Sequence, residues 1–219
     1  MDKKPTLILA ACCGPCATVA IEQLSSRYNI IIAFWGNNLE SLEEYNKRLE
    51  ALKIVNEKLN NNAPMRVEDY KQIDFNNLDI SKENEKTKFV IDNFQRSTLN
   101  FETDPEGSHR CRLCYFLRLQ NAVKIADKIF KENSKYEYIC FATTLSTSPH
   151  KDSAMIDIIG GLAQDTSPHN TFNGYPRTYV SYLPTNFKGN GGFNKSVVMS
   201  KKLCIYRQTF CGCKYSNKN

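Results

Sequence analysis

Two rhythms of apolar residues alternate along the chain. Short runs rich in β-branched and aromatic residues predict strands over Thr6–Cys12, Ile30–Trp35, Met65–Tyr70, Tyr138–Ala142 and Thr178–Leu183. The run Ile30–Trp35 is apolar throughout, the pattern of a strand covered on both faces of a parallel sheet. Between these runs the apolar spacing lengthens to that of a helix. In Leu39–Leu59 it picks out Leu42, Tyr45, Leu49, Leu52, Ile54 and Val55, and in Cys111–Phe130 it picks out Leu113, Phe116, Leu117, Ala122, Ile125 and Ala126. Further helices are expected from Pro15 to about Tyr28 and over Lys86–Phe94, Ala154–Ala163 and Lys195–Lys202. Proline is tolerated in the first turn, where its missing N–H has no partner to lose.

Strand–helix alternation of this kind implies an α/β fold, a three-layer sandwich around a mainly parallel sheet. The expectation is one metalloenzyme domain over residues 1–219, ending in a cysteine-bearing C-terminal tail. Ligands in such sheets bind beyond the carboxyl ends of the strands, and Cys12 and Cys13 fall at the end of the first.

Composition sharpens this reading. Hydrophobic residues make up 41% of the chain, enough for a core that needs no covalent staples. The longest apolar run is far short of the roughly 20 residues that span a bilayer, and the N-terminus lacks the pattern of a signal peptide. A cytoplasmic protein is therefore expected. In a reducing compartment nine cysteines point to metal binding or thiol chemistry rather than disulfides. The net charge of +6 suits a polyanionic partner such as RNA.

Seven of the nine cysteines form three tight groups: Cys12, Cys13 and Cys16; Cys111 and Cys114; Cys211 and Cys213. Thiolates at a helix start lie near backbone N–H groups that favour the anion. Seven are too many for one tetrahedral ion or one cubane, each of which takes four. Four plus three fits better, a complete site beside a metal with an open, catalytic position. If strand alternation continues through Cys12 and Cys13, their side chains point apart and serve different metals. One then joins the cluster, and the other joins Cys16 and one of Cys211 or Cys213 on the open metal. Cys140 and Cys204 read as small buried hydrophobes. Two other readings remain open: a thioredoxin-like thiol oxidoreductase built on Cys13-Gly14-Pro15-Cys16, and a zinc-stabilised RNA-binding module.

At these residues the chain resembles the QueH family of epoxyqueuosine reductases. The resemblance is carried by Cys12–Cys16; by Glu44, Tyr45 and Arg48; by Arg110–Tyr115 with Arg118 and Leu119; by Thr143, Thr144 and Leu145; by Ser148, Pro149 and Ser196; and by Tyr206-Arg207-Gln208 with Cys211-Gly212-Cys213 and Ser216. Where the family follows its second strand with a Tyr-Asn-Pro-Asn-like turn, this chain has Trp35-Gly36-Asn37-Asn38. Asn170–Arg177 looks like an insertion or a divergent loop.

The resemblance implies a fold of the HUP (Rossmann-like) group, a [4Fe–4S] cluster beside a second, mononuclear metal, iron, and tRNA carrying epoxyqueuosine as substrate. It also implies an electron donor that the sequence does not identify. His150, Asp152 and Tyr206 are the candidate proton donors, and Tyr45, Arg48, Arg110, Arg118, Arg207 and Gln208 the candidate substrate-binding residues.

Overall fold

A computed structural model describes residues 4–96, 104–132, 138–172, 175–176 and 179–216. Strands β1 (Thr6–Ala11), β2 (Asn29–Phe34), β3 (Met65–Val67), β4 (Ile139–Thr143) and β7 (Val180–Tyr182) form one sheet in the order β3-β2-β1-β4-β7. Every pairing in it is parallel. Two short strands, β5 (Thr171–Phe172) and β6 (Tyr175–Pro176), pair antiparallel outside it. They lie in the divergent loop over 170–177, of which positions 173–174 and 177 fall outside the described residues, as does the expected start of β7 at Thr178.

The helices cover both faces. Helices α1 (Gly14–Leu24), α2 (Leu42–Leu59) and α6 (Gly192–Lys202) pack together on one side, and α3 (Glu85–Arg96), α4 (His109–Glu132) and α5 (Ser153–Gln164) on the other. Strand alternation divides the core accordingly: Leu7, Leu9 and Ala11 enter the cluster under α1 and α2, while Ile8 and Ala10 enter the one under α4 and α5. Fully buried Phe34, Phe116 and Phe141 fill the space between layers. No described helix is long and apolar enough to cross a membrane.

Several elements are shorter than their patterns. The edge strand β3 stops at Val67, where the exposed pair Glu68 and Asp69 follows. Helix α1 stops at Leu24 because the chain turns back there, Arg27 and Tyr28 both donating to the Leu24 carbonyl. Strand β1 ends at Ala11, one residue before the first cysteine, which changes the geometry of everything after it.

Candidate metal centre

From β1 the chain runs outward to β2 and β3, then returns to place β4 on the other flank. The crevice at the carboxyl ends of β1 and β4 is therefore the switch point of the sheet, where a ligand meets no crossing connection. Threonines at the carboxyl end of β4 close it from one side. Thr143 Oγ1 donates to the Ala10 carbonyl at 3.1 Å, and Thr144 Oγ1 accepts from the Cys12 N–H at 3.1 Å.

Between Ala11 and Gly14 the chain bends straight into α1, with Cys13 as the extended N-cap and Pro15 in the first turn. The Cys13 side chain makes no capping bond, so its thiol stays free for other work. Alternation does not extend past the end of β1, and the expected divergence of Cys12 and Cys13 is corrected here: their sulfurs lie 3.7 Å apart. The Cys12, Cys13 and Cys16 sulfurs all fall within 4.8 Å of one another, the one group of three such ligand atoms among the described residues. Around one tetrahedral metal with bonds of about 2.3 Å, thiolate sulfurs stand about 3.8 Å apart. The cup fits a single soft cation.

Charge within the cup is uneven. Hydrogen bonds from Cys13 and Cys16 hold the Cys12 thiol well below its ordinary range, with Arg118 adding to the effect against burial. Burial and the bond to Cys12 push Cys13 up to about 12. The same bonds, with Cys12 and Cys13 as partners, hold Cys16 well above its ordinary value. Gln208 Nε2 donates to Cys13 Sγ at 2.9 Å and so ties the C-terminal tail to the cup.

The other four cysteines come from two directions. Cys111 and Cys114 sit in the first turns of α4, and the Gly107 N–H donates to Cys111 Sγ at 3.2 Å. Cys211 and Cys213 arrive on the tail, which crosses over α2. There Arg48 donates from Nη1 to the Cys211 carbonyl at 3.0 Å and from Nη2 to the Phe210 carbonyl at 3.3 Å. Its Nε is paired with Glu44 at 2.6 Å, and Tyr206 donates to the second Glu44 oxygen at 2.7 Å. Gly212 has φ +97, and a Cβ there would run into the Arg48 guanidinium, so only glycine lets the tail pass this close. Burial pushes Cys114 up to about 12, and the Cys211 charge adds to the rise. A hydrogen bond from Cys211 lowers Cys213 to about 6. Four thiols drawn from two separate segments match the four thiolate ligands that a cubane takes, one to each iron.

A cavity of about 390 Å³ joins the two sets, lined by Cys12 and Cys16 on one side and Cys114 and Cys211 on the other. Its wall holds two groups to which the sequence reading gave no role. Lys151 is only 9% exposed; its Nζ lies 3.3 Å from Glu106 Oε1 and 3.8 Å from Cys211 Sγ. Burial alone would push this ammonium down, but Cys211, Tyr115 and Glu106 outweigh it and hold it above its ordinary value. Tyr115 is 4% exposed and its hydroxyl has no hydrogen-bond partner among the described residues, a situation that costs about 1–3 kcal/mol. In a chain with 29 lysines and arginines, Lys151 reads as one more surface charge, and no spacing marks Tyr115 out.

The candidate residues separate on this map. His150, Arg207 and Gln208 line the cavity, with Phe193 and Phe210 beside them. Asp152 is exposed and caps α5, accepting from the Ala154 N–H at 2.9 Å. Tyr206 is committed to Glu44, and Tyr45 donates to the Glu68 carbonyl at 2.5 Å and stacks between Phe34 and Tyr70. Arg118 lies at the cavity wall, but it donates to the Ala11 and Trp35 carbonyls at 3.2 and 2.7 Å and to Asn38 at 2.7 Å. The divergent Trp35–Asn38 turn is thus held by a buried guanidinium. Arg110 binds the Asp104 and Tyr215 carbonyls and packs on the Tyr215 ring. Cys140 is buried in β4, as expected, with a bond to the Tyr138 hydroxyl. Cys204 is not: it is exposed, at φ 52 just beyond α6, and the buried reading is corrected.

Comparison with known proteins agrees over the whole fold. A family model described as epoxyqueuosine reductase QueH matches residues 7–219. Among relatives carrying that same description, one from Streptococcus pyogenes serotype M1 is 30% identical, the match covering 98% of this chain and 71% of the relative. One from Staphylococcus epidermidis is 28% identical over 98% and 77%. One from Thermotoga maritima is 27% identical over 96% and 90%.

Proposed function

The chain belongs to the QueH family of epoxyqueuosine reductases, and on that premise we propose that it removes the epoxide oxygen from epoxyqueuosine in tRNA. The observation that carries this reading is the convergence of three cysteine groups, far apart in sequence, on one cavity at the switch point of the sheet. The reaction takes an epoxide, two electrons and two protons to an alkene and water.

Cys111, Cys114, Cys211 and Cys213 would hold a [4Fe–4S] cluster, and Cys12, Cys13 and Cys16 a mononuclear metal, most simply iron. The 3.7 Å approach of Cys12 and Cys13 supports this division over one that parts them. When bound, the cluster supplies electrons singly and the second metal an open Lewis-acidic position. The protein's own part is to hold the substrate. A cavity of about 390 Å³ admits one modified nucleoside and not the stem that carries it, so the base enters turned out of its stack. Phe193, Phe210, His150 and Arg207 offer that base flat faces and a cation at the cavity wall. His150 is the proton-donor candidate that the cavity reaches, whereas Asp152 and Tyr206 are engaged in capping and in fastening the tail. The enzyme works in the cytoplasm, and its electrons come from an external one-electron carrier.

Anaerobic protein, given a chemical reductant and an anticodon hairpin carrying epoxyqueuosine, should yield a nucleoside lighter by one oxygen. Colourless protein holding zinc alone, with an unchanged nucleoside, would favour the zinc-stabilised RNA-binding module instead.

A further inference from the structure

The cluster-side wall of the cavity carries an electrostatic arrangement that the ligand set does not require. Lys151 is buried, reaches Cys211 Sγ at 3.8 Å and is shared with Glu106 at 3.3 Å. Lys188 donates to the Lys151 carbonyl and so pins the backbone that presents the ammonium. Tyr115 follows Cys114 on α4; its ring is in the core and its buried hydroxyl is left without a partner among the described residues. The charges that this hydroxyl feels come from Lys151 and from Cys111, Cys211 and Cys114. A cation 3.8 Å from Cys211 Sγ and a phenol adjoining Cys114 in the chain thus both line the cavity beside the four-cysteine set, with one carboxylate behind the cation.

We propose that Lys151 and Tyr115 set the reduction potential of the four-cysteine cluster from outside its ligand shell, and that Glu106 opposes them. This rests on the four-cysteine assignment made above. Adding an electron makes the cluster more negative. A fixed cation and a hydrogen-bond donor at its thiolates therefore favour the reduced form, and a nearby carboxylate disfavours it. Lys151 and Tyr115 are positioning residues: Lys151 reaches the ligand shell at Cys211 Sγ, and Tyr115 follows the ligand Cys114 directly in the chain.

The test is a redox titration of the anaerobic holoprotein followed by EPR, with iron and sulfide counted for every variant. Lys151→Met should shift the one-electron equilibrium about tenfold toward the oxidised form, which is 59 mV for one electron. Tyr115→Phe should move it the same way by less. Lys151→Arg keeps the charge and should restore most of the wild-type value. Glu106→Gln should move it the opposite way, which a mere loosening of the fold would not do. Should Lys151→Met fail to load its cluster, Tyr115→Phe and Glu106→Gln still decide. A loaded wild type whose potential ignores these changes, or one that falls in Glu106→Gln, overturns this inference alone. A wild type without acid-labile sulfide overturns the cluster assignment beneath it.

Discussion

The two cysteine sets are built in opposite ways. The cup of Cys12, Cys13 and Cys16 is local: five consecutive residues at the turn from β1 into α1 bring three sulfurs within 4.8 Å. The set of Cys111, Cys114, Cys211 and Cys213 is assembled at long range, from one helix start and a tail that reaches it over α2. Its geometry depends on groups that are not ligands, above all Arg48, Glu44 and Tyr206. A local cup needs only its turn to form, whereas the other set needs the tail fastened. The two should therefore fail separately.

The largest separation is expected from Arg48→Met. It unfastens the Cys211 and Phe210 carbonyls and leaves Glu44, whose side chain is 7% exposed, buried beside a lost partner. Breaking a buried pair from one side costs about 3–5 kcal/mol. Denaturant unfolding should register that loss, and a metal count should show cluster iron depleted while one metal per chain stays on the cup. Equal loss from both sets would mean that they form one cooperative site.

A smaller effect is expected from Tyr206→Phe, which removes one fastening bond worth about 1 kcal/mol. The same bond should give the tail an alkaline limit. Burial, with the bond to Glu44, raises Tyr206 from 10.0 to about 12. Its contribution is therefore whole below pH 10 and is lost as pH rises through about 12. Cluster retention measured against pH should fall over that window in the wild type and lose this step in Tyr206→Phe.

The same contrast explains what the sequence revealed. Sheet and layers were legible because the strands are apolar runs and the helices keep their spacing, so each element in the main sheet announces itself. The seven cysteines were legible as a constellation because close spacing marks ligands whatever the fold. The approach of Cys12 and Cys13 was not legible: it turned on whether β1 reaches Cys12, and a boundary one residue earlier reverses the direction of a side chain. Lys151 was hidden between two nominated residues, His150 and Asp152, because its role comes from burial against a tail some 60 positions away. Arg48 and Arg118 were visible as charges, but the carbonyls that claim them are set by tertiary structure. Cys204 looked like a core residue by type, and only the left-handed turn after α6 places it outside.

Cys16→Ser tests the division of the thiolates most directly, read by iron, sulfide and EPR on anaerobic protein. Cys16 belongs to the cup, and its carbonyl accepts from Thr147 Oγ1 at 3.1 Å. The account predicts that the cluster's sulfide count and EPR signal persist, that the additional metal is lost or weakened, and that epoxide reduction falls with it. A bleached cluster in Cys16→Ser, with its sulfide gone, would make Cys16 a cubane ligand and contradict the four-plus-three arrangement.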